Sequence, residues 1–133
     1  MQQRTRRRSR LRYPKRIDSF KSEGRRVEVY VSTPEASAEL AGLDGHTFTP
    51  ADPRKPIVIL LRAGQSAAQL RLTYLHELLH LSAESLNIPY HREEPIVETV
   101  SRRLLPILKR YALNLDSAFT QPRVPRTRTA RSQ

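Results

Sequence analysis

The chain has 133 residues, enough for one domain of ordinary size. It contains no cysteine, which excludes disulfides, thiolate metal sites, iron–sulfur clusters and cysteine nucleophiles. Its net charge is +11, and its longest apolar run, Ile57 to Leu61, falls far short of the roughly 20 residues a membrane helix needs.

The charge is unevenly placed. Residues 1–16 carry eight basic side chains (Arg4, Arg6, Arg7, Arg8, Arg10, Arg12, Lys15 and Arg16) and no acid. Residues 122–133 carry four more (Arg123, Arg126, Arg128 and Arg131), again with no acid. The remaining 12 cations face all 13 acids within residues 17–121, a balance near −1. This predicts a basic flexible arm over 1–16, one folded domain over 17–116 and a basic flexible tail over 117–133. Arginine-rich arms suit polyanions, DNA or RNA above all, through phosphate contacts and counterion release. Solubilising tails are the plainer reading of the same residues. The start of the chain has no apolar segment behind its arginines, so it does not read as a secretory signal, and a cytoplasmic protein without membrane association is expected.

Val27 to Val31 alternates as a half-buried strand does, and Pro34 ends it. Glu35 to Leu40 suits a short helix. Gly42 and Gly45 bracket a turn before a short strand, His46 to Thr49. Asp52-Pro53 and Lys55-Pro56 mark a loop. Ile57 to Leu61 is apolar on both faces, as a central strand would be.

A helix follows Gly64-Gln65. Ser66 and Gln69 have capping-box spacing, and Asn87 with Pro89 signals a stop near Leu86. Leu70, Tyr74, Leu75, Leu78, Leu79 and Leu81 make it apolar over much of its surface, as a buried helix would be. A last helix is expected from about Pro95, with Val97, Val100, Leu104, Ile107, Leu108 and Tyr111 in one stripe and a kink or break at Pro106. The fold class expected is α+β: a small sheet packed on a central helix and a following helix.

The central helix contains His76-Glu77-Leu78-Leu79-His80, an H-E-x-x-H pattern. At 3.6 residues per turn the two imidazoles stand one above the other and can share a metal ion. Glu77 points elsewhere but can reach a water on that metal, take its proton and leave a hydroxide to attack a carbonyl. At the chain's own His and Glu frequencies, chance gives this pattern in about one sequence in a hundred. Burying three ionisable groups among leucines without a purpose would be costly.

Residues 57–106 resemble the minimal zincin metallopeptidase core and are similar to the ImmA/IrrE-like and related small phage or bacterial metallopeptidases. The likeness rests on Ile57–Leu61, His76–His80 and Glu93-Glu94-Pro95-Ile96-Val97-Glu98 occurring in that order. It implies Zn²⁺, a protein or peptide substrate, Glu77 as catalytic base, an acidic ligand on the following helix, and an upstream edge strand that holds an extended substrate. The motif is H-E-L-L-H rather than the glycine-containing H-E-L-G-H, closer to phage-type members.

Catalytic zinc takes three protein ligands and leaves one position open. Glu94 is the choice for the third, at the edge of the apolar stripe, with Glu98, Glu93 and His91 as alternates. An N-terminal acid favoured by the helix dipole is the plain reading of Glu94, and an i,i+4 bridge to Arg102 that of Glu98. His91 as ligand would resemble the SprT-like metallopeptidases, which act on DNA-bound proteins. Tyr90 and His91 are candidates for stabilising an oxyanion, and His46 reads as structural or exposed.

Other H-E-x-x-H enzymes fit less well. Peptide deformylases need a cysteine ligand. Metzincins need a third histidine where Leu86 stands, and a di-iron site needs a histidine where Ser101 follows Glu98. The expected function is zinc-dependent peptide hydrolysis. The alternative is a nucleic-acid-associated module whose metal site is structural or inactive.

Overall fold

The computed structural model describes residues 12–119, with side chains through residue 111. In chain order it forms β1 (Lys15–Ser22), β2 (Arg25–Ser32), a short 3₁₀ turn (Ala38–Leu40), β3 (Gly45–Phe48), β4 (Ile57–Arg62), α1 (Ala67–Ala83), a second 3₁₀ turn (Glu84–Leu86) and α2 (Tyr90–Phe119). The architecture is α+β, as expected, with one four-stranded mixed sheet in the order β1-β2-β4-β3.

β4 is central. It runs parallel to β2 on one side and antiparallel to β3 on the other. The register sets three rows on one face of the sheet: Phe20–Val27–Ile57, Asp18–Val29–Ile59–Thr47 and Lys15–Val31–Leu61–Gly45. Val27, Val29, Ile57, Ile59 and Leu61 form the buried cluster, and Leu70, Tyr74, Leu78 and Leu81 of α1 pack on it. Each aliphatic side chain buried this way contributes roughly 1.5–3 kcal/mol. The same rows leave Thr47 and Gly45 facing α1 at the β3 end.

β1 is absent from the sequence expectations, which placed Lys15 and Arg16 in the basic arm. It is an edge strand with an almost wholly exposed side-chain pattern, so its alternation carries no burial signal. Glu23 and Gly24 both have positive φ, 52° and 80°, as the two central residues of a tight hairpin turn. Phe20 reaches the core, and Tyr74 donates to Asp18 Oδ2 at 3.0 Å, tying α1 to this edge.

Ser66 caps α1 by accepting from the Gln69 N–H at 3.1 Å. The reciprocal half of the capping box does not form, because the Gln69 side chain turns to Thr73 Oγ1. α1 gives way to a 3₁₀ turn that ends at left-handed Asn87, at the place the stop signal indicated.

The last helix departs from expectation at its start. It begins at Tyr90 rather than near Pro95, because the Pro89 carbonyl accepts from the Arg92 and Glu93 N–H groups and opens the first turn. Pro95 and Pro106 both lie inside the helix, so the chain is not broken at Pro106. The expected stripe is buried only at its beginning: Val97 is buried and Leu104 half-buried, while Val100, Ile107, Leu108 and Tyr111 are exposed. α2 packs on α1 near its start, where Val97 and Ser101 are buried. The arms fall largely outside the described residues, as 1–11 and 120–133 do. Residues 117–119, assigned to the tail, belong to α2.

Candidate metal centre

His76 and His80 project from one face of α1, their ring centroids 4.9 Å apart and their planes at 66°. The helix start of α2 brings three carboxylates against them, because its first turns lie across α1 at this level. Glu94 sits between the two rings: Oε2 is 3.3 Å from His76 Nε2 and Oε1 is 2.7 Å from His80 Nε2. One ligand atom from each of His76, His80 and Glu94 lies within 4.8 Å of the others.

The other ring nitrogens are also engaged. His76 Nδ1 faces Glu98 Oε1 at 3.3 Å, and His80 Nδ1 faces Glu93 Oε2 at 2.5 Å. Glu98 is held from behind by Arg102, whose Nε and Nη2 both reach Oε2 at 2.7 Å. A carboxylate on Nδ1 fixes a histidine's tautomer and ring orientation and leaves Nε2 to ligate. The three acids thus divide their work: Glu94 lies where both Nε2 atoms point, while Glu93 and Glu98 orient the rings. The Arg102 bridge expected for Glu98 is present, and the same side chain also supports His76.

Burial opposes protonation of His80. The hydrogen bonds with Glu93 and Glu94, and the nearby charges of Glu77 and Glu94, outweigh it and raise the pKa above its ordinary value.

Glu77 is buried, 6% exposed, on the side of α1 that faces β3. Thr47 Oγ1 donates to its Oε1 at 2.6 Å. Gly45 explains how the strand comes this close. A Cβ there would lie 2.8 Å from Thr73 Cγ2 and 3.0 Å from Glu77 Oε2. Gly45 was expected in a turn; it is the first residue of β3, and its lack of a side chain is a packing requirement. Sequence reasoning missed Thr47 as well. A glycine at i and a threonine at i+2 on a short strand is a pattern too common to single out.

A cleft of about 700 Å³ lies between β3, α1 and the start of α2. His76, Glu77, His80, Glu93, Glu94 and Glu98 all line it. Tyr90 stands at its rim, 69% exposed, its ring stacked on His80 at a centroid distance of 5.9 Å. Partial burial, the charge of Glu94 and a hydrogen bond to it raise the Tyr90 pKa. His91, the next residue, is exposed and does not line the cleft, so the structure does not bring it to the other candidates. His46 is half-buried and borders the cleft from β3.

No protein-family model matches the chain, and neither a curated protein nor a solved structure matches it. The functional reading therefore rests on the site. His76, His80 and Glu94 form a group able to hold a metal ion. The donor set fits: two imidazoles and one carboxylate, each ring already oriented through its second nitrogen. Among the described residues no helix is long and apolar enough to cross a membrane.

Proposed function

We propose that the chain is a zinc-dependent metallopeptidase of the zincin type, hydrolysing peptide bonds of a protein substrate in an intracellular setting. The observation that carries this reading is the convergence of both Nε2 atoms on Glu94, with a buried acid from the same helix beside them and an open cleft in front. A merely structural ion would need neither the cleft nor the buried acid.

Bound zinc supplies a water of lowered pKa and a Lewis acid for the substrate carbonyl. The residues do the rest. His76, His80 and Glu94 would hold the ion, and Glu93, Glu98 and Arg102 would keep the ligands in place. Thr47 donates to Glu77 Oε1, and Glu77 would remove a proton from the attacking water through its other oxygen, Oε2. As the new C–O bond forms and the C–N bond breaks, Glu77 passes that proton to the departing amine. Tyr90 is the donor for the oxyanion from the rim. Among the described residues β3 pairs with β4 alone, so its other edge offers N–H and C=O groups to an extended peptide.

Glu77→Gln tests the reading. It should retain zinc and lose peptide hydrolysis. A zinc-loaded wild-type chain that cleaves no peptide in a diverse library would sink the proposal.

A second reading has the charge distribution in its favour. Twelve of the 24 Lys and Arg residues lie in acid-free terminal stretches, as in a nucleic-acid-associated module with a structural metal site. In that case Glu77→Gln changes nothing and removal of the arms abolishes salt-dependent binding to DNA or RNA. The two readings combine if the arms bring a protease to nucleic acid. Gel shifts insensitive to arm removal would refute that combination.

A further inference from the structure

Glu77 is a buried carboxylate whose one hydrogen bond among the described residues comes from Thr47, 30 positions away in sequence. Neither oxygen is paired with a cation among the described residues. That is an expensive state for a charged group unless the spare oxygen has a use. Resting on the metallopeptidase reading, we propose that Thr47 is the positioning residue of the catalytic base: its hydroxyl pins Oε1 and thereby commits Oε2 to the attacking water.

A glutamate on a helix has three side-chain torsions, and its terminal carboxylate rotates easily between equivalent oxygens. Three restraints remove that freedom here. The Thr47 hydroxyl has one proton and gives it to Oε1. The bare Cα of Gly45 lets the strand backbone close on the same side chain, so that a Cβ there would stand 3.1 Å from Glu77 Cγ. The register of β3 on β4, with Thr47 opposite Ile59, puts the threonine on the sheet face that α1 covers. The Thr47 hydroxyl is spent on the base, so its part in the chemistry runs through Glu77.

The test uses the zinc-loaded full chain. Thr47→Val removes the hydroxyl at nearly constant volume. It should lower kcat by roughly 10–100-fold, the usual cost of losing an orienting partner, with zinc content unchanged and KM within about twofold. Thr47→Ser keeps the donor and should recover most of the rate. A readout independent of turnover comes from thermal unfolding: the Tm change caused by Thr47→Val should shrink toward zero in a Glu77→Ala background. The proposal is overturned if the valine variant turns over like wild type, if the loss lies in KM, if serine does no better than valine, or if the Tm change is the same in both backgrounds. A zinc-loaded wild type that hydrolyses nothing overturns the peptidase reading and this proposal together, and is distinct from an active wild type with an unaffected valine variant.

Discussion

Glu98 Oε1 lies 3.3 Å from His76 Nδ1, one helical turn beyond Glu94, whose Oε2 is 3.3 Å from Nε2 of the same ring. Two acids at i and i+4 on α2 therefore lie against the two nitrogens of one imidazole, and Glu93 with Glu94 hydrogen-bonds both nitrogens of His80. The inner contact of each pair is the one an ion would replace. Glu98→Ala and Glu93→Ala should each weaken metal binding by roughly 10–100-fold without abolishing it. Competition against a chelator of known affinity measures this. Arg102→Ala, which frees Glu98 without removing it, should cost less than Glu98→Ala.

Removing a ligand should have a larger effect than removing its support. His76→Ala, His80→Ala and Glu94→Ala should each purify without stoichiometric zinc. If Glu94→Ala keeps its metal while Glu98→Ala loses it, the third ligand is Glu98 and the roles of the two acids are exchanged.

Metal uptake should depend on pH through His80. Its pKa is raised above the ordinary histidine value, and a protonated imidazole cannot ligate. Affinity should therefore be weak below that pKa and rise as pH passes through it. Calorimetry in buffers of different ionisation enthalpy should register a proton released on binding near neutral pH. The metal-free protein should behave oppositely. A raised pKa means protonation favours the folded state, so this contribution is complete below the unfolded value and fades as pH climbs past the folded one.

Gly45→Ala should show whether close approach of β3 to α1 matters. Its methyl group would meet Thr73 and Glu77 at 2.8 and 3.0 Å. The strand or the Thr73 and Glu77 side chains must then shift, at a cost of about 1–3 kcal/mol, and hydrolysis should fall with stability. An alanine variant with wild-type Tm and rate would show that the strand can move freely.

The link between Tyr74 and Asp18 should appear at high pH. Burial, the Asp18 hydrogen bond and the Asp18 charge push the Tyr74 pKa up to about 12. Folding therefore favours the neutral phenol, and its contribution is whole below pH 10 and lost as pH approaches 12. Tyr74→Phe should destabilise the protein by about 1 kcal/mol at neutral pH and flatten the alkaline part of its stability profile.

The sequence was most informative where one local rule decided the outcome. Ile57 to Leu61 could only be a strand covered on both faces, and β4 is central. The spacing of His76 and His80 required a shared helix face. β1 was illegible because an exposed edge strand has no hydrophobic period to read, although Glu23-Gly24 between Phe20 and Val27 was a turn signal available in the sequence. Two prolines compete to mark the start of α2, and Pro89, whose carbonyl opens the first turn, marks the boundary rather than Pro95. All three acids are candidates in the sequence, but only a helix that starts at Tyr90 puts Glu93 and Glu94 on the same helix as Glu98, within reach of both histidines. Thr47 and Gly45 depended on strand register, which no local pattern encodes.

Among the described residues of α2, Val97 and Ser101 are the buried ones, and Glu93, Glu94 and Glu98 bridge from the same helix to the histidines of α1. An ion there would act as a rivet between the helices. Stripping it with a chelator would loosen the second helix, so local opening of α2 in hydrogen exchange should track metal occupancy.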